Sequence, residues 1–149
     1  MTSPTIHASA VLAGSRAVLI RGPSGSGKSR LALALIQAGA SAALPFVRLV
    51  GDDRVELEAA HGRLLVRPAP ALAGLIEVRG LGIRRLPFEP VAAVGLVVDL
   101  GVADSERLPD PHTVTTMIAG IPLRRLGVAP VTEPFGVVIA ALRTSDSGQ

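Results

Sequence analysis

Residues 22–29 read Gly22-Pro23-Ser24-Gly25-Ser26-Gly27-Lys28-Ser29, the full spacing of a Walker A loop. Residues 17–21 (AVLIR) before it are short and apolar, as a buried strand is. Residues 28–38 (KSRLALALIQA) after it carry leucines at helical spacing and run into Gly39, a predicted helix stop. Strand, glycine loop and helix in this order form the supersecondary unit that makes the motif meaningful. In such a loop successive backbone amides turn inward around an anion, and glycines are required because a Cβ would meet phosphate or backbone. The Lys28 ammonium can then reach the terminal phosphates of a nucleoside triphosphate, and the Ser29 hydroxyl can ligate Mg²⁺. The helix directs its positive end at the same anion. Lys28 is the only lysine in the chain, every other strong cation being arginine. A lysine kept where arginine is otherwise preferred points to a need for a compact ammonium.

Outward from the loop, residues 5–12 predict a strand joined to the first through Gly14-Ser15. Residues 46–50 predict a strand that ends at Gly51-Asp52-Asp53 and lies beside the strand leading into the loop. Residues 55–58 and 63–67 predict a hairpin turning at His61-Gly62. A Pro-rich loop at 68–70 leads to residues 75–83, an extended segment that ends in IEVRGLGI. Residues 91–100 (VAAVGLVVDL) predict a central strand buried on both faces. Residues 136–142 fit strand or helix equally by periodicity. The expectation is one α/β domain over residues 1–143, richer in strand than helix, with 144–149 as a disordered polar tail.

Composition narrows the function classes. The chain has 149 residues, enough for one core, and its 48% hydrophobic content argues against disorder. It has no cysteine, which excludes disulfides, thiolate metal sites and a cysteine nucleophile. No basic-then-apolar leader and no apolar run of membrane-spanning length is visible, so a cytoplasmic protein without membrane partners is expected. The net charge of +3 comes from scattered arginines without interleaved aromatics, which reads as a solvated surface and argues against nucleic acid.

Two adjacent acids, Asp52 and Asp53, close a predicted strand. One can hold Mg²⁺ directly or through water, and the other can accept the proton of an attacking hydroxyl. Such a pair is often just a turn; in a chain with a Walker A loop the functional reading is preferred. Glu77 and Arg79 lie two apart in a predicted extended segment, hence on one face, where they can serve metal and phosphate or pair with each other. His7 in a strand and Arg107 before a loop read from local sequence as structural and solvated residues. Gly80-Leu81-Gly82 lacks the remainder of a dinucleotide fingerprint.

Together, TIHASAV, GPSGSGKSRLALALI, LVGDDRVEL and IEVRGLGI resemble the C-terminal catalytic domain of HPr kinase/phosphorylase, with a weaker match in ERL at Arg107. The similarity runs over roughly residues 5–130, and IEVRGLGI is its most specific string. The resemblance implies a P-loop fold akin to phosphoenolpyruvate carboxykinase, ATP and Mg²⁺ as cofactors, and the phosphocarrier protein HPr as partner. The activity implied is serine phosphorylation with a regulatory role in the phosphotransferase system. It implies catalytic roles for His7, Lys28, Asp52, Asp53 and Arg107, and metal ligation by Ser29, Asp53 and Glu77. Arg79, Gly80, Leu81 and Gly82 would shape the floor on which the target serine arrives. A homo-oligomer is also implied.

The chain resembles the short, alphaproteobacterial forms of the family, and a form lacking the N-terminal domain is expected. APVTEPFGVV stands where the family carries a Pro/Gly/Arg/Asn loop linked to the dephosphorylating reaction, so kinase activity without phosphorolysis is expected. Two alternatives stay open at this point: a P-loop kinase for a small molecule, and a non-catalytic nucleotide-sensing module.

Overall fold

The computed structural model describes residues 4–41, 44–103 and 111–144. Eleven strands and two helices appear among them: β1 Thr5–His7, β2 Ser9–Ala13, β3 Arg16–Arg21, α1 Lys28–Ala40, β4 Val47–Gly51, β5 Arg54–Ala60, β6 Arg63–Pro68, β7 Leu75–Val78, β8 Gly82–Arg85, β9 Ala92–Leu100, β10 Thr115–Ile118, β11 Ile121–Val128 and α2 Pro134–Arg143. Nine strands form one sheet in the order β1-β5-β6-β9-β3-β2-β4, with β11 and β10 branching from β9. β3 and β9 run parallel, β9 and β11 run parallel, and β7–β8 stand apart as a two-stranded ribbon.

The apolar runs in β3 and β9 are explained by cover on both faces. Val18, Ile20, Leu96 and Val98 join Leu31 and Leu35 of α1 and Val138 of α2 in one cluster. Ala17, Leu19 and Val97 alternate to the opposite face and join Val55, Leu64 and Val66 of the β5–β6 hairpin in another. That hairpin turns at His61 (φ 53°) and Gly62 (φ 75°), the two positive φ values of a type I′ turn, as the sequence leads one to expect.

Several predicted elements differ from the observed ones. Gly39 does not stop α1, which continues to Ala40. Its value is proximity: a Cβ at Gly39 would lie 2.9 Å from both the Cβ and the backbone nitrogen of Val47, so the missing side chain lets β4 pack closely. Residues 5–12 form two strands rather than one, because the chain leaves β5 after His7 and joins β3 and β4 from Ser9. β4 is not adjacent to β3; β2 pairs with both and lies between them. Residues 75–83 fold back at Arg79–Leu81, with Gly80 (φ 89°) and Gly82 (φ 92°) supplying the left-handed backbone of the turn. Glu77 therefore stands in a strand and Arg79 in the turn, not together on one extended face. The stretch 136–142 is helical, entered through Pro134 with the Glu133 carboxylate accepting from the Phe135 amide.

Candidate active site

The loop leaves β3 at Arg21 and enters α1 at Lys28. A Cβ on Gly22 would fall 2.6 Å from Ser26 Oγ and 3.2 Å from the Leu100 carbonyl oxygen, so the loop closes tightly against the end of β9. Gly25 (φ 80°) and Gly27 (φ 96°) take conformations that other residues rarely adopt. The Lys28 ammonium donates to the carbonyls of Gly22 (2.8 Å) and Pro23 (3.2 Å), which folds its stem over the loop. Ser26 Oγ is buried and has no hydrogen-bond partner among the described residues. Pro23, Ser24 and Gly25 are exposed at the loop's rim.

Asp52 and Asp53, adjacent in sequence, meet different surroundings. Asp52 is 3% exposed. Its Oδ1 accepts from Ser9 Oγ at 2.5 Å, the Ser29 hydroxyl lies 2.8 Å from both of its oxygens, and its Oδ2 accepts from the Glu77 amide at 3.2 Å. The carboxylate thereby ties β2, the start of α1 and β7 together. Asp53 takes φ 67°, a left-handed conformation that Asp tolerates better than most residues, and its side chain is 70% exposed. His7 Nδ1 lies 3.8 Å from Asp53 Oδ1. On its other side His7 Nε2 is 2.8 Å from Arg54 Nη2, and Arg54 Nη1 donates to Thr5 Oγ1 at 3.2 Å. A guanidinium can only donate, so Nε2 accepts and neutral His7 carries its proton on Nδ1, the nitrogen facing Asp53.

Glu77 presents an exposed side chain from β7 while its amide is held by Asp52. Arg79, Gly80, Leu81 and Gly82 are exposed in the adjoining turn, closed by the Leu81 amide donating to Val78 O at 2.9 Å. The structure thus joins Ser29, Asp52 and the Glu77 backbone by hydrogen bonds, keeps Lys28 on the loop carbonyls beside them, and sets His7 and Asp53 in a second group joined to the first through the backbone. Arg107 lies outside the described residues.

Three features escaped sequence reasoning. Ser9 gave no signal beyond being a polar residue in an apolar strand. Arg54 is one of many scattered arginines. The third is an ion triad at the foot of the loop: Arg21 holds Asp99 through Nε–Oδ1 (2.7 Å) and Nη2–Oδ2 (2.9 Å), and Arg125 Nε reaches Oδ2 at 2.6 Å. Arg125 Nη1 also donates to the Thr113 carbonyl at 2.8 Å. Burial would raise the pKa of the Asp99 carboxyl, but the hydrogen bonds and charges of Arg21 and Arg125 together outweigh it and hold the group below the ordinary carboxylate value. Arg125, with its side chain 12% exposed, is not the solvated surface residue its sequence context suggested. A lone acid inside VAAVGLVVDL was the available clue.

A family model described as the HPr serine kinase C-terminal domain matches residues 2–87, more than half of the chain. The chain belongs to that family. This HPr kinase-type domain is similar to a HPr kinase/phosphorylase of Neisseria meningitidis serogroup C, 34% identical over 132 residues, covering 80% of this chain and 38% of that protein. It is also similar to a HPr kinase/phosphorylase of Clostridium tetani, 43% identical over 70 residues, covering 47% of this chain and 21% of that protein. Against both curated relatives, then, it spans well under half of their length. A solved structure of the Hpr(Ser) kinase/phosphatase from Coxiella burnetii matches the fold with a TM-score of 0.75 and 26% identity, covering 95% of each chain. The strand-rich α/β P-loop architecture is thus that of the family. Among the described residues no helix is long and apolar enough to cross a membrane.

Proposed function

We propose that this domain is an ATP- and Mg²⁺-dependent kinase that phosphorylates a serine of HPr, with a regulatory role in the phosphotransferase system. The observation that carries the reading is the joining of a Walker A loop to two acids in opposite situations, Asp52 bonded to the loop's Ser29 and Asp53 exposed beside His7. The family names supply the acceptor.

The loop fits a triphosphate. Glycine at position 22 lets the loop close where a Cβ would collide with Ser26 and Leu100, and the buried Ser26 hydroxyl has no hydrogen-bond partner among the described residues, leaving a donor that a bound anion would satisfy. Mg²⁺ binding through Ser29, a carboxylate, phosphate oxygens and water needs no cluster of protein ligands, in keeping with the absence of a three-acid or histidine cluster among the described residues. Glu77 would supply the carboxylate, with Asp53 the second candidate. When bound, the metal would neutralise charge developing between the β- and γ-phosphates.

Asp52 is poorly placed to act as a base, because its oxygens already accept from Ser9, Ser29 and the Glu77 amide. Asp53 would take the proton of the target serine as its oxygen attacks the γ-phosphorus and the bond to the bridging oxygen of ADP breaks. His7 Nδ1–H would orient Asp53. Lys28 would leave the Gly22 and Pro23 carbonyls for the phosphate oxygens and stabilise the transferring group. Arg79 and the 80–82 turn, open to solvent, would receive the acceptor protein.

The test is transfer of label from γ-labelled ATP with Mg²⁺ to HPr and to HPr whose target serine is replaced by alanine. Label on the first and not the second is expected; no transfer to HPr under any nucleotide condition sinks the reading. Phosphate added to phosphorylated HPr should release little label.

A further inference from the structure

At the Asp52 carboxylate the loop serine, the β2 strand and the glutamate-bearing β7 strand meet. Metal ligation by a serine hydroxyl uses an oxygen lone pair, so the hydroxyl proton must face away from the metal. In this structure Ser29 Oγ lies 2.8 Å from both Asp52 carboxylate oxygens, which gives its proton an acceptor there. The same carboxylate fixes Glu77 at its backbone, which sets where the glutamate side chain starts. Among the described residues Asp52 has no cationic partner. Besides Ser29 and the Glu77 amide, its carboxylate is held by the hydroxyl of Ser9, a fully buried residue (0% exposed) 43 positions away in sequence, donating at 2.5 Å. A buried serine in a strand can satisfy itself on a neighbouring carbonyl; this one is spent on a carboxylate in a distant loop.

We propose that Ser9 is a positioning residue for the Mg²⁺ site: through Asp52 it presets the Ser29 lone pair and the Glu77 backbone for the metal. Ser9 touches neither metal nor nucleotide. Without its hydroxyl, Asp52 loses the contact on its β2 side and keeps only those to Ser29 and the Glu77 amide, so the acceptor of the Ser29 proton is less firmly placed and part of the ligand ordering falls to the moment of metal binding. Groups that hydrogen-bond a ligand directly, as Asp52 does Ser29, are worth about ten- to a hundredfold in metal affinity, and Ser9, one bond further out, acts at the low end of that range. The inference rests on the nucleotide site proposed above but not on the identity of the phosphoryl acceptor.

The experiment measures binding of a fluorescent ATP analogue with Mg²⁺ and with EDTA, for the wild-type chain, Ser9→Ala and Ser9→Thr. The ratio of the two dissociation constants reads the metal's contribution alone. Ser9→Ala should reduce that ratio about tenfold while leaving the EDTA value unchanged, and Ser9→Thr, which keeps a hydroxyl, should restore it. A merely structural role would weaken both values together or lower the melting temperature without touching the ratio. An unchanged ratio in Ser9→Ala overturns the proposal, as does a wild-type chain that binds nucleotide with no response to Mg²⁺. A wild-type chain that binds no nucleotide at all would instead overturn the kinase reading, and this proposal with it.

Discussion

Replacing Asp99 by alanine should destabilise the domain far more than any surface ion-pair change. Asp99 has two cationic partners, Arg21 and Arg125, whose side chains are 31% and 12% exposed. Breaking a buried pair by removing one member costs about 3–5 kcal/mol, most of it from the charge left behind. Arg21 is near enough to solvent to swing outward and Arg125 keeps its bond to the Thr113 carbonyl, so the loss should fall at the low end of that range, about 3 kcal/mol. For a chain of this size that lowers the melting temperature by on the order of 10 °C. The internal control is Glu58→Ala, which removes the exposed 2.9 Å pair with Arg67 and should cost below about 1 kcal/mol. Urea unfolding of both variants against wild type gives the comparison. The pH dependence has a definite sign. Because the folded pKa of Asp99 is depressed, its contribution is complete above the unfolded value of about 3.9 and is lost as pH falls through the folded value. The gap between wild type and Asp99→Asn should therefore be constant near neutrality and close below about pH 4. If Asp99→Ala costs no more than Glu58→Ala, the triad is not what holds the three strand ends together.

Asp53→Asn should lower kcat for phosphorylation of HPr by about 10²–10⁴-fold, the range for loss of a general base, with MgATP affinity nearly unchanged. Steady-state kinetics checks this, and a fall confined to KM would assign Asp53 to binding instead. Gly39→Ala should destabilise despite improving helix propensity by about 1 kcal/mol, because crowding against Val47 costs about 1–3 kcal/mol. A melting temperature raised by Gly39→Ala would show that β4 yields at that contact.

The loop, both flanking elements, the β5–β6 hairpin and the buried character of β9 were legible because each rests on local chemistry: glycine spacing, periodicity, and a turn dipeptide. What was not legible is pairing between distant segments. Nothing local in TIHASAV shows that His7 belongs to β5's edge and Ser9 to β3's, since the change occurs at one alanine. Residues 115–118 and 121–128 were not assigned as strands, although Ala119 and Gly120 take the positive φ values of a tight hairpin turn there. Of the candidate site, His7, Lys28, Ser29, Asp52, Asp53 and Glu77 are legible in the sequence, while the burial of Asp52 and the exposure of Asp53 on a left-handed backbone are not. Ser9 and Arg54 act through partners 43 and 47 residues away, a distance across which sequence periodicity carries no information.

The Arg21–Asp99–Arg125 triad also bears on alignment during folding. β3 and β9 are apolar on both faces, so sliding one past the other by a residue would exchange two greasy surfaces at little cost in transfer free energy. Within their paired stretches, Ala17–Arg21 and Val94–Asp99, these two strands carry charge at Arg21 and Asp99 alone, and those residues are directly opposite in the observed pairing. A slipped strand would bury an unmatched carboxylate, while the correct one clicks shut on a guanidinium from each side. The triad is thus a keyed joint. It tells an otherwise featureless central sheet where to stop, one residue before the phosphate loop begins.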